Sequence, residues 1–132
     1  MQPEFSEAFK ANPFFFVVST GIAVAAGVVA LGALLLVIKK PKIAIVVGAL
    51  AVLGSLAAFG FGLLGRTLAV SRVDGAASHP GLTNADRERI TTYGYAEARI
   101  CLVHGALVSA LPLLGGITGV LLGIARHRRP PS

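Results

Sequence analysis

The sequence predicts an all-α integral membrane protein with three transmembrane helices, the third extended into a long helix outside the membrane. Three apolar runs, at Phe14–Ile38, Ile43–Gly65 and about 98–125, each approach the roughly 20 residues that a helix needs to cross hydrocarbon. Charged residues make up only 14% of the chain and concentrate outside these runs, because charge at the bilayer centre is costly. The whole chain, residues 1–132, is therefore expected to form one three-span membrane domain.

The first run is predicted to begin at Asn12-Pro13, since Asn caps free N–H groups and Pro fits a first helical turn. We expect it to be retained as a spanning helix. A secretory signal has a basic start and an apolar core of about 7 to 15 residues, whereas this run is longer and follows two glutamates and one lysine. Before it, Pro3–Lys10 has two phenylalanines one turn apart, which predicts either a short amphipathic surface helix or a frayed end.

The extramembrane loop predicted at about 66–92 contains two turn signals and a helix start. Val73-Asp74-Gly75 and His79-Pro80-Gly81 predict turns after a helical continuation to Val70. Thr83 or Asn84 can cap the next helix, and acidic residues in its first turn suit the positive end of the helix dipole. This helix would be about 60 Å long, so about a third of it must lie outside the hydrocarbon.

Basic residues predict the orientation. The Lys39–Lys42 turn and the Arg126–Arg129 tail lie on one face if all three runs cross, and such residues are retained in the cytoplasm. We therefore predict a bacterial inner-membrane protein with its N-terminus outside and its C-terminus in the cytoplasm. The net charge of +6 does not indicate nucleic-acid binding, because the basic residues flank membrane spans without interleaved aromatics. The lipid bilayer is the expected partner of this charge.

Small residues recur at alternating intervals of four and three in every run, which places them on one face of each helix. Lipid tails are as apolar as Leu, so helix association in a membrane depends on the close approach that small side chains permit. The spacing is near the period of 3.5 that is typical of left-handed crossings of about 20°. We call these residues the packing seams: Ala23, Ala26 and Ala30 in the first run, Gly48, Ala51, Ser55, Ala58 and Gly62 in the second, and Gly105, Ser109, Gly116, Gly119 and Gly123 in the third.

The third run also has a double GxxxG pattern at Gly115, Gly119 and Gly123. With it, the packing seams offer more contact surface than we expect one three-helix bundle to bury. They predict a homo-oligomer or a place in a larger membrane complex, although the pattern leaves open whether the contacts form within one chain or between copies. The function predicted first is therefore that of a structural or accessory membrane subunit that is not an enzyme.

Glu97 and His104 are the residues best placed for chemistry. With Cys101 they share one face of the third helix, at the spacing i, i+4, i+7. A carboxylate and an imidazole on one membrane helix can relay protons, so the alternative function is a component of a proton or ion channel. A further alternative is the membrane anchor of a respiratory redox complex, in which His104 ligates haem and a second chain supplies the other ligand.

No other motif suggests a reaction. Cys101 is the only cysteine, so it can form neither an intrachain disulfide nor a thiolate metal cluster. The hydroxyl residues lack nucleophile spacing with His and an acid, and no phosphate-binding glycine loop follows a strand. We therefore predict no catalytic residue, no metal site and no cofactor.

Overall fold

The computed structural model describes residues 6, 9–10 and 13–130. In this part of the chain every regular element is an α-helix, so the predicted all-α class is confirmed for the described residues. The predicted cap Asn12 and most of the predicted Pro3–Lys10 helix lie outside them.

Three long helices account for most of the described chain: α1 (Pro13–Lys39), α2 (Pro41–Ala77) and α3 (Asn84–His127). Each is long and apolar enough to span a membrane, as the three apolar runs predict. Lys40 alone separates α1 from α2. Pro41 then occupies the first turn of α2, where its missing N–H costs no helical hydrogen bond.

α2 is longer than the sequence predicts. The turn predicted at Val73-Asp74-Gly75 is wrong, because α2 passes through these residues and ends at Ala77. Contacts with α3 explain the difference. Val73 packs against Gly94 so closely that a Cβ at position 94 would collide with it, and the Tyr95 hydroxyl donates a hydrogen bond to the Asp74 carboxylate. These tertiary contacts override the local preference of the Asp-Gly pair for a turn.

The connection between α2 and α3 consists of residues 78–83. The turn predicted at His79-Pro80-Gly81 is confirmed, with the Leu82 N–H donating to the His79 carbonyl. Thr83 caps α3, as the sequence predicts, in a capping box: its hydroxyl accepts from the Asp86 N–H, and its own N–H donates to the Asp86 carboxylate. The hydrogen bonds from Thr83 hold the pKa of Asp86 below its usual range.

The three helices form an up-down-up bundle with a core of small side chains. Its large aliphatic residues face outward, as with Leu35 at 78% and Leu111 at 79% exposure. This arrangement suits hydrocarbon surroundings, where bulky apolar side chains need no burial. Along α1 the buried positions alternate three and four residues apart: Phe16, Ser19, Ala23, Ala26, Ala30, Ala33 and Val37.

Candidate functional site

The structure buries every residue of the packing seams within the one chain. Ala51 and Ala58 in α2, for example, have no exposed surface, and Ser55 between them is 1% exposed. One protomer therefore buries all of these residues. Burial within one chain does not exclude contacts between copies, so the expected homo-oligomer or larger complex stays a prediction.

α2 and α3 meet backbone against backbone. A Cβ at Gly48 would lie 2.8 Å from the Gly116 carbonyl oxygen, and a Cβ at Gly62 would lie 2.9 Å from the Gly105 Cα. No side chain fits between the two helices at these positions, so glycine is required by the close approach. Substitutions here would disturb the fold of one chain before they could report on any assembly.

α1 packs through alanines, one methyl group away from its neighbours. The Ala26 Cβ lies 3.0 Å from the Cβ position of Gly54 in α2, and the Ala33 Cβ lies 3.0 Å from that of Gly119 in α3. The Ser19 hydroxyl adds a hydrogen bond of 3.0 Å to the Ala58 carbonyl of α2. α1 is therefore held against the α2–α3 pair by side chains.

His104 joins α3 to α1. Its Nε2 lies 2.9 Å from Thr20 Oγ1, and its ring also hydrogen-bonds the backbone of Phe16. The Phe16 ring packs against the imidazole with the two centroids 4.7 Å apart. Polar side chains commonly hold transmembrane helices together in this way. His104 thus has a structural position in the helix interface.

Glu97 and Cys101 lie on the same helix, on the side of His104 nearer the start of α3. Cys101 is 3% exposed, whereas Glu97 is half-buried. Cys101 and His104 line one small cleft together with Phe16 and Ser19. The structure brings Cys101 and His104 together in this cleft, while Glu97 is not among its described lining residues. A proton relay from Glu97 to His104 stays a prediction.

The described residues contain no group of three or more His, Cys, Asp or Glu side chains that could hold a metal ion. His79 lies in the α2–α3 connection, where its Nδ1 accepts from the Gly81 N–H. His127 is exposed at the end of α3. The structure does not bring either histidine to His104, so a haem with two histidine ligands would need the second from another chain.

An open groove of about 690 Å³ lies between α1 and α3. The Thr118 hydroxyl on its surface donates to the Leu114 carbonyl of its own helix, and Thr20 is engaged with His104. The remaining surface is almost entirely apolar. We call this feature the α1–α3 groove; its lining includes the small residues Gly27, Ala30 and Gly115 and the larger Leu31, Leu34 and Leu111.

Comparison of the chain with protein-family models, curated proteins and solved structures finds no match. The function is therefore argued from the geometry of the bundle.

Two features of the site are absent from the sequence-based prediction. Thr20, the partner of His104, could have been noticed because it and Ser19 are the only hydroxyl residues of α1. The α1–α3 groove has no comparable signal, because two of its small residues, Ala23 and Ala30, belong to the packing seam of α1 and the others resemble seam residues in type.

Proposed function

We propose that this protein is a structural or accessory subunit of a membrane assembly, without enzymatic activity, and that it self-associates. The α1–α3 groove supports this proposal, because it is an open apolar surface with small residues in its lining. Such surfaces permit the close van der Waals approach on which helix association in lipid depends. In the proposed assembly a helix of a second copy lies in the groove.

α2 has a surface suited to this position. Ala49, Ala57 and Gly60 are exposed on one face of α2, and a Cβ at Gly60 would meet nothing within 4 Å. Leu53 and Leu56 project from the same face. In the proposed contact these leucines enter the groove of the next copy, and the small residues beside them let the helices come close. Because the groove and this face are different surfaces, the contact is heterologous, and repeating it closes a ring when the rotation between copies permits.

The expected position in the cell is the bacterial inner membrane, with Lys40 in the cytoplasm and the α2–α3 connection outside. The basic residues at both cytoplasmic ends support this orientation. In the same arrangement, the start of α3 and the end of α2 project together from the outer face as an extramembrane helical pair.

Replacement of Gly27 by Leu tests the groove as the contact surface. A Cβ at position 27 lies 3.8 Å from the Pro112 ring, an ordinary contact distance, so the larger side chain fills the groove without a backbone collision. Gly32→Leu is the matched control on the same helix, since a Cβ there meets nothing within 4 Å. We expect native mass measurements in mild detergent to find multiples of the 13.5 kDa protomer for the natural protein and Gly32→Leu, and single protomers for Gly27→Leu.

Two results would contradict the proposal. Single protomers of the natural protein would exclude self-association under these conditions and would leave the groove to a different subunit. Oligomers of Gly27→Leu as abundant as those of Gly32→Leu would show that the groove is not the contact surface.

Cysteine labelling tests the orientation. In a Cys101→Ser background, we expect a membrane-impermeant maleimide to label Ser78→Cys from outside intact cells and to label Lys40→Cys only after the membrane is opened, because the two positions lie at opposite ends of α2. Labelling of both from the same side would contradict the crossing of all three helices.

The channel and redox-anchor hypotheses depend on His104, whose ring is engaged with Thr20 and the Phe16 backbone. No further observation on α3 favours either of them over structural association.

A further inference from the structure

Two arginines from different helices line one cavity at the edge of the apolar runs. Arg66 directly follows the second run in α2, and Arg99 directly precedes Ile100 in α3. They line a cavity of about 230 Å³ together with Val70 and Tyr95, each of which lies one helical turn from the arginine of its own helix. We call it the Arg66–Arg99 cavity.

The Arg66–Arg99 cavity concentrates positive charge. Within the described residues neither guanidinium forms an ion pair or a hydrogen bond, and both residues are exposed. The Asp74 carboxylate near one end accepts from the Tyr95 hydroxyl. Glu97 lies about 200° around α3 from Arg99, on a different face of the helix. An anion between the two arginines would supply the missing opposite charge.

A second, more apolar depression continues from Arg99 along α3 toward the centre of the span. It has a volume of about 190 Å³ and is lined by Ile100, Val103 and Leu107, by the half-buried His104 and by Arg99 itself. Arg99 therefore separates a charged cavity at the predicted membrane boundary from an apolar depression at hydrocarbon depth. This order, from charge to hydrocarbon, is that of a phospholipid with its headgroup at the membrane surface.

We propose that the Arg66–Arg99 cavity and the adjoining depression bind one anionic phospholipid. The phosphate lies between the two guanidinium groups, which are suited to paired hydrogen bonds with phosphate oxygens. One acyl chain follows Val103 and Leu107 into the membrane. The lipid is anionic because the site already contains two positive guanidinium groups. The positive group of a zwitterionic headgroup would be repelled by them. No described residue lines both this site and the α1–α3 groove, although His104 of the depression contacts Thr20 of the groove.

Native mass spectrometry of the detergent-purified protein can count the bound lipid directly. We expect phosphatidylglycerol to bind at least about tenfold more tightly than phosphatidylcholine with the same acyl chains, a difference of about 1.4 kcal/mol. Inorganic phosphate and glycerophosphoglycerol, the headgroup without acyl chains, should not displace the lipid at equal concentration, because neither can occupy the apolar depression.

Single substitutions locate the binding. We expect Arg66→Gln and Arg99→Gln each to weaken phosphatidylglycerol binding about tenfold, since each removes one charge-assisted contact to the phosphate. Arg89→Gln is the matched control, because it removes the same charge from an exposed position of α3 outside the cavity. It should change the affinity less than twofold. Unchanged circular dichroism and elution volume would show that the exposed substitutions leave the fold intact.

Three results would overturn the proposal. Equal binding of the two phospholipids would remove the requirement for negative charge. Displacement of the lipid by inorganic phosphate would identify a simple anion site. An equal loss of affinity in Arg89→Gln and Arg66→Gln would show that the attraction comes from net charge and not from this cavity.

Discussion

Along its contact line the interface of α2 with α3 is closed, whereas the contact line of α1 with α3 is partly open. In the first, Gly62 opposes Gly105 and no atom separates the two backbones. In the second, Ala33 stands between the helices at Gly119, and the groove of about 690 Å³ lies beside this contact line. A groove of about 400 Å³ also lies beside the first contact line, between Val52 of α2 and Ile117 of α3. The two interfaces therefore differ in how closely their backbones approach.

Comparison of the two interfaces shows that the spacing of small residues and their size determine different features of helix packing. Small residues three and four apart determine which face of a helix turns inward. The choice between Gly and Ala then sets how closely the backbones approach. α2 and α3 contribute glycine to the buried face repeatedly, whereas α1 contributes Ala, Ser, Phe and Val. The open interface contains one polar contact between side chains, the hydrogen bond of Thr20 with His104, whereas Ser19 bonds the Ala58 carbonyl of α2.

The largest loss of unfolding free energy is expected from a substitution that forces the backbones of α2 and α3 apart. Gly62→Ala places a Cβ 2.9 Å from the Gly105 Cα, so one of the helices must shift. Overpacking of this kind costs about 1–3 kcal/mol. We expect this loss of unfolding free energy in a reversible denaturation by dodecyl sulfate in mixed micelles.

Gly60→Ala provides the control for Gly62→Ala, two residues away on the outward face of the same helix. A Cβ at position 60 meets nothing within 4 Å. Its effect should be neutral or stabilising by up to about 1 kcal/mol, the difference in helix propensity between Gly and Ala. Equal destabilisation by the two variants would show that the closed contact between α2 and α3 does not limit stability.

The comparison also shows which parts of the structure the sequence could predict. The apolar runs predict the three helices, and the spacing of small residues coincides with the buried face of each. Both are properties of a single helix. The pairing of Thr20 with His104 and the position of the groove depend on the relative depth of α1 and α3, which no local pattern encodes. The extension of α2 through Asp74 likewise depends on a distant residue, Tyr95.

A smaller loss of unfolding free energy is expected from removing the hydrogen bond between α1 and α3. Thr20→Val keeps the shape of the side chain but removes the hydroxyl that pairs with His104 Nε2 across the helices. Hydrogen bonds between transmembrane helices average about 0.6 kcal/mol and reach about 1.7 kcal/mol. We expect a loss of unfolding free energy in this range and no further loss from Thr20→Val when His104 is already Ala.

Thr118→Val is the matched control for Thr20→Val. Its hydroxyl bonds the Leu114 carbonyl within α3 and makes no contact across the interface that a valine would remove. The unfolding free energy should therefore stay nearly unchanged. Additive effects of Thr20→Val and His104→Ala would contradict a direct energetic coupling between these two side chains.

The smallest effect on stability is expected from breaking the contact of Tyr95 with Asp74. This contact continues the closed interface beyond the apolar runs. The hydrogen bond to the Asp74 carboxylate, with burial and the carboxylate charge as smaller causes, raises the pKa of Tyr95 above its ordinary value. A raised pKa in the folded state means that this contact contributes stability below the unfolded tyrosine pKa of about 10 and loses it as the pH rises through the folded value. The closed interface should therefore loosen at its outer end only in strongly alkaline solution.

Absorbance titration at alkaline pH can isolate this contact, because Tyr93 and Tyr95 are the only tyrosines of the chain. In a Tyr93→Phe background the remaining tyrosinate signal belongs to Tyr95. We expect Asp74→Ala to return the pKa of Tyr95 toward its ordinary value, since it removes both the hydrogen-bond acceptor and the negative charge. Glu88→Gln removes one negative charge from a more distant part of α3 and should leave the titration midpoint in place. Identical midpoints with Asp and Ala at position 74 would show that the two helices are not joined there, and the closed interface would then end with the apolar runs.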